Sequence, residues 1–209
     1  MARLSIRQKK TISKSIKLTH QELNLILNYN NDWDNLNLKP IKDRIRDFYL
    51  KEQNKLCAFC KLPFRDDIHV EHVVPKSGKY GRKEYAFVGI NLAVACKHCN
   101  SKKSTNNDMI PWSLSPYPQS GMYFKILHPH FDDYFKHIEI VDNSRYVRKT
   151  LKGHNTIERC KLYDPKILEV LSECMRYQDD PLIQGVLRLR EIQGNFKATI
   201  DNFINAIFR

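Results

Sequence analysis

Cys57-Ala58-Phe59-Cys60, then Val70-Glu71-His72-Val73-Val74-Pro75, then Asn91-Leu92-Ala93-Val94-Ala95-Cys96-Lys97-His98-Cys99-Asn100-Ser101-Lys102-Lys103 follow one another between Leu56 and Lys103. Two Cys-x-x-Cys pairs bracket a Glu-His dipeptide and a lone Asn. Four thiolates at this spacing suit a closed tetrahedral zinc site. A structural Zn²⁺ on Cys57, Cys60, Cys96 and Cys99 would clamp the ends of a hairpin and leave the residues between them free for chemistry.

Outward from this stretch the pattern is mixed. Ile68 to Val74 is β-rich and alternating, Asn91 to Ala95 reads as a second short strand, and a polar helix begins at Asn100. On the N-terminal side, Thr19 and Glu22 have the form of a capping box for a helix to about Asn28. Asn28 to Asn37 reads as a loop, pinned to the domain by Trp33. Pro40 suits the first turn of a second helix, whose Ile41, Ile45, Phe48 and Tyr49 recur at helical spacing.

On the C-terminal side, Thr105 to Gly121 is a Pro-containing connector. Tyr123–Leu127 and His137–Val141 are expected as strands of a small hairpin, flanking a turn with His130, Asp132 and Asp133. That cluster reads as a packed turn rather than a second metal site. Helices are expected from Asn155 (N-cap, with Glu158 at N3), from Asp164-Pro165 and from Pro181. Phe196, Ile200, Phe203, Ile204 and Ile207 form a last amphipathic stripe. Cys160 and Cys174 stand alone and read as core residues.

Composition limits the function classes. The 209 residues are 42% hydrophobic and 11% aromatic, values that argue against wholesale disorder. The formal net charge of +12 favours a polyanionic partner, because Lys and Arg gain affinity by releasing counterions from phosphates. Residues 1–20 carry Arg3, Arg7, Lys9, Lys10, Lys14 and Lys17 and no acid, an arm suited to phosphate contact. No run of about 18 apolar residues suggests a membrane span, and no secretory pattern follows the arm. A cytoplasmic address is the expectation, and metal binding is the stronger reading of the paired cysteines.

Glu71-His72-x-x-Pro75, Asn91-Leu92 and Cys96-x-x-Cys99-Asn100-x-x-Lys103 together resemble the HNH nuclease motif of the ββα-metal class. The resemblance covers about a quarter of the chain. It implies an α+β fold: a central ββα-metal core with a four-cysteine zinc clamp, flanked by N-terminal helices and a mainly helical C-terminal region. The corresponding parts are 1–55, 56–105 and 106–209. It further implies a Mg²⁺- or Mn²⁺-dependent endonuclease acting on DNA, or on RNA. His72 is placed as the base, Glu71 and Asn100 as ligands of the catalytic cation, and Asn91 as the residue that ties the loop and orients the base. Lys103 is placed one turn beyond Asn100 to meet a phosphate.

Many members carry Asp where Glu71 stands. A surface carboxylate paired with Lys76 or Arg82 is the alternative for that position, and solvent or phosphate contact is the expectation for His98. Trp33, the segment Glu52 to Cys60 and Ile126-Leu127-His128-Pro129 are similar to small HNH effectors of Septu and retron anti-phage systems, the PtuB type. That likeness implies an ABC- or SMC-like ATPase partner of PtuA type. A stand-alone restriction or homing-type HNH endonuclease and a non-catalytic zinc-dependent nucleic-acid binder are the alternatives.

Overall fold

The capping box forms as the sequence dictates. In the computed structural model, which describes residues 12–65, 67–141 and 145–176, Thr19 Oγ1 accepts from Glu22 N, and Glu22 Oε2 accepts from Thr19 N at 2.8 Å. They open helix α1, His20–Asn28. Pro40 sits in the first turn of α2, Lys39–Glu52, which buries Ile41, Ile45 and Tyr49. The chain before α1 is packed too. Ile12 and Ile16 are buried, and Ile16 N donates to the Tyr49 hydroxyl, which itself donates to Gly89 O at 2.6 Å.

Strands β1 (Ile68–His72) and β2 (Leu92–Cys96) pair antiparallel, with Glu71 opposite Ala93 and His72 opposite Leu92. Helix α3, Lys97–Lys103, follows β2 directly. It therefore starts three residues before the expected Asn100, because Cys96 Sγ caps it by accepting from Cys99 N. The fold is α+β, with strand, strand and helix at its centre. On its outer edge β2 pairs with a side chain: Gln53 Nε2 donates to Val94 O, and Val94 N donates to Gln53 Oε1, both at 2.8 Å.

Two expectations fail beyond the core. Tyr123–Leu127 is not a strand; Gly121–Tyr123 is a 3-10 turn, and Phe124 alone bridges to Met109. The backbone of this segment bonds elsewhere, Lys125 N to Asp108 O and Leu127 N to Thr156 Oγ1. Helix α4 (Tyr134–His137) leads into β3 (Ile138–Val141), which pairs instead with β4, Arg145–Arg148.

Likewise α5 runs Leu151–Cys160, capped by Thr150 rather than Asn155. Thr150 Oγ1 accepts from Gly153 N at 3.1 Å. Gly153, an unfavourable residue inside a helix, is required there: a Cβ would stand 2.0 Å from His137 O. Helix α6, Pro165–Arg176, starts at the expected Pro. The expected helix at Pro181, the final amphipathic stripe and the Cys174 side chain lie outside the described residues.

One buried cluster joins Ile12, Ile26, Ile45, Phe59, Val94, Ile126, Ile157 and Leu171. Residues of all three sequence segments thus share a core. No helix among the described residues is long and apolar enough to cross a membrane.

Candidate metal and nuclease site

The two cysteine pairs meet at one end of the hairpin. The Sγ atoms of Cys57, Cys60, Cys96 and Cys99 all lie within 4.8 Å of one another, and Cys60 and Cys96 are 3.9 Å apart. Tetrahedral Zn–S bonds of about 2.3 Å require sulfurs about 3.8 Å apart, so the four residues fit a zinc ion. Backbone N–H groups point at the sulfurs, Cys96 N at Cys57 Sγ and Cys99 N at Cys96 Sγ. Such outer hydrogen bonds orient ligands before any metal arrives.

The thiols already share charge unequally. Burial pushes the Cys57 thiol up, but sulfur hydrogen bonds from Cys60, Cys96 and Cys99 outweigh it and hold it well below the usual range. The Cys57 neighbour raises Cys60, and the Cys160 thiol raises Cys99. Cys160 is buried and free, as a core residue. His98 faces neither solvent nor phosphate; its Nε2 donates to Cys160 O at 3.1 Å and ties α3 to the end of α5.

At the other end of β1, neighbouring residues take different surroundings, as strand pleating requires. Glu71 turns to α3, where Lys103 Nζ stands 2.7 Å from its Oε1. The same ammonium donates to His72 O at 2.9 Å. Burial raises the Glu71 carboxyl, and the Lys103 charge acts against that. Lys76 pairs with Asp34 and Arg82 with Glu84, so neither is the partner of Glu71. Lys103 differs from the expectation of a phosphate-facing residue: it is 0% exposed, because docking α3 on β1 turns its long stem inward.

His72 is 8% exposed. Its Nε2 lies 3.0 Å from Ala86 O, and a carbonyl can only accept, so Nε2 carries the hydrogen and Nδ1 the free lone pair. Trp33 sets its ring edge-on to the imidazole at 4.5 Å. Burial pushes the His72 pKa down to about 3; the Ala86 carbonyl opposes this, and the Lys76 and Lys103 charges add to it. The imidazole is therefore neutral near pH 7. Sequence reasoning assigned Trp33 to the loop but missed its contact with His72, which no local signal reveals.

Asn91 is fully buried between the strands. Its Oδ1 accepts from Val74 N at 2.7 Å, and its Nδ2 donates to Val74 O and Tyr85 O. This one amide closes the loop from Val73 to Ile90. Asn100 is half-buried on α3, one turn before Lys103. Glu71 and Asn100 offer hard oxygen donors of the kind Mg²⁺ takes. The turn at His130 holds no metal group: Asp132 pairs with Lys152, Asp133 caps α4, and His130 Nε2 donates to Leu92 O. Among the described residues, the four cysteines are the one His/Cys/Asp/Glu group close enough to share an ion.

Comparison with known proteins agrees with this geometry. Over 91 residues the chain is 31% identical to "Retron Vc95 putative HNH endonuclease" of Vibrio cholerae serotype O1 biovar El Tor. The aligned part is 43% of this chain and 42% of that protein, so the match spans less than half of either. The family model described as HNH endonuclease matches residues 57–106. The segment that carries the cysteine cluster, His72, Asn91 and Asn100 is an HNH endonuclease domain.

Proposed function

We propose that the chain is a metal-dependent endonuclease that hydrolyses phosphodiester bonds of nucleic acid, DNA before RNA. The observation that carries this reading is the state of His72 inside the HNH segment: a neutral imidazole whose Nε2–H is fixed on Ala86 O. Its Nδ1, which makes no hydrogen bond among the described residues, is the atom that takes the proton from the attacking water. Glu71 and Asn100 would hold Mg²⁺ or Mn²⁺, which supplies charge neutralisation at the scissile phosphate and the leaving oxygen. Lys103 keeps Glu71 in place and anchors the end of β1 through His72 O, and Asn91 holds the loop on which Ala86 sits. Zn²⁺ on the four cysteines is a scaffold, since a closed thiolate sphere leaves no position for substrate.

The biological setting is part of the same proposal. A relative named for a retron supports a PtuB-type effector of bacterial anti-phage defence, working in the cytoplasm with an ABC- or SMC-like ATPase of PtuA type. Isolation of the native protein with such an ATPase attached would support that setting; its recovery alone, fully active, would count against it.

The enzymatic reading is tested by relaxation of supercoiled plasmid. The full chain is expected to nick in Mg²⁺ and to stop in EDTA. His72→Ala should keep its zinc and lose about 10² to 10⁴ in rate, the range for a positioned base. Undiminished cleavage by His72→Ala overturns the assignment.

A further inference from the structure

A cavity of about 430 Å³, open on one side, lies between α3 and α5. Lys102, Lys125, Arg159 and Lys161 line it, together with the carboxylates of Asp108 and Glu158. Asp108 is 1% exposed and is committed to Arg159 at 2.8 Å; Glu158 stands 3.8 Å from Lys161. Lys102 and Lys125 make no ion pair among the described residues. Two uncompensated ammonium groups thus face one concave space, where their mutual repulsion is relieved by an anion.

The cavity is distinct from the His72 site. At 3.6 residues per turn, Lys102 points roughly 200° away from Asn100 around α3. It shares the flank of His98, which is held on the end of α5. We infer that this cavity is a second phosphate site, which takes a backbone phosphate of the nucleic acid away from the bond that reacts. The inference rests on the nuclease reading and adds where the strand is held. A helix is about 10–12 Å across with its side chains, so the two sites are separated by about three base steps of 3.4 Å. Ammonium groups on phosphates read no sequence, so the site contributes affinity and register rather than base preference.

The test is binding of a labelled duplex to the full chain without added Mg²⁺ or Mn²⁺, followed by anisotropy over a range of NaCl. Lys102→Gln/Lys125→Gln removes the two unpaired, exposed cations and leaves Arg159 on its buried carboxylate. Zinc content and circular dichroism check that it folds. The slope of log K against log salt should become shallower by about 1.8, at about 0.9 per phosphate contact, with tenfold or greater loss at about 0.1 M salt. The control is Lys51→Gln/Lys55→Gln, equal in charge and exposed on another face.

An unchanged slope overturns the inference, as does an equal change in the control pair, which would reduce the effect to net charge. Wild-type protein that binds no nucleic acid overturns it too. A mononucleotide that competes at micromolar concentration would assign the cavity to a free nucleotide and overturn the strand assignment. Because no turnover is measured, an absence of cleavage in the plasmid assay leaves a shallower slope standing, and the two readings fail separately.

Discussion

Lys103 and Glu71 form an ion pair of 2.7 Å sealed from water on both sides. A buried pair is weak evidence of net stabilisation, but removing one member strands the other without solvent or partner. Lys103→Met should therefore cost about 3–5 kcal/mol in urea unfolding. Glu71→Gln/Lys103→Met should recover part of that loss. If Lys103→Met unfolds with wild-type energetics, the ammonium is not what keeps the carboxylate in place.

Asn91 satisfies a backbone donor and two backbone carbonyls at once. Three hydrogen bonds at about 0.5–1.5 kcal/mol each give about 2–4 kcal/mol for Asn91→Ala. Hydrogen exchange should quicken first at Val74 N, which would lose its acceptor. Unaltered protection there would show that the loop is held by other contacts.

Much of this was legible where the determinant is local. The capping box at Thr19 and Glu22, Pro40 and the alternation of β1 each encode their structure within a few residues. What was not legible depended on neighbours far along the chain. Gly153 reads as an interruption until His137 O is seen where its Cβ would be. Tyr123–Leu127 has strand-like residues, but its backbone partners are Asp108 and Thr156. A lysine on a polar helix is by default solvated, and only the docking of α3 on β1 reveals that Lys103 points inward.

The cysteine cluster gives a prediction of metal content. Purified protein should contain one zinc per chain, and Cys57→Ser should lose it. Metal binding at structural sites is worth about 10–16 kcal/mol in small zinc peptides, comparable to the whole stability of a domain. Cys57→Ser should therefore lose cooperative unfolding of the centre. A metal-free variant that melts at the wild-type temperature would show that the sulfurs support the fold without an ion.

His128 supplies the pH dependence. Burial holds its pKa well below the ordinary 6.5, with the charges of His130, Lys152 and Lys103 acting in the same direction. The unfolded chain thus binds the proton more readily than the folded one. The stability associated with neutral His128 is complete above pH 6.5 and is lost progressively as pH falls below it. Urea midpoints should drop between pH 7 and 5.5, and His128→Gln should flatten that drop. A variant with the wild-type slope would place the acid sensitivity on another group.

The side-chain amide of Gln53 has one more consequence. A two-stranded sheet ordinarily leaves an outer row of donors and acceptors that can recruit a strand from another molecule. At the middle of β2 that row is already occupied, because Gln53 presents the same N–H and C=O pair as a peptide bond and Ala58 N also donates to Val94 O. One glutamine thus imitates a third strand at Val94, and it ends the sheet there without lengthening the chain. A protein of small β content is in this way closed to edge-to-edge association at the middle of its central hairpin, by a residue delivered from the end of a helix.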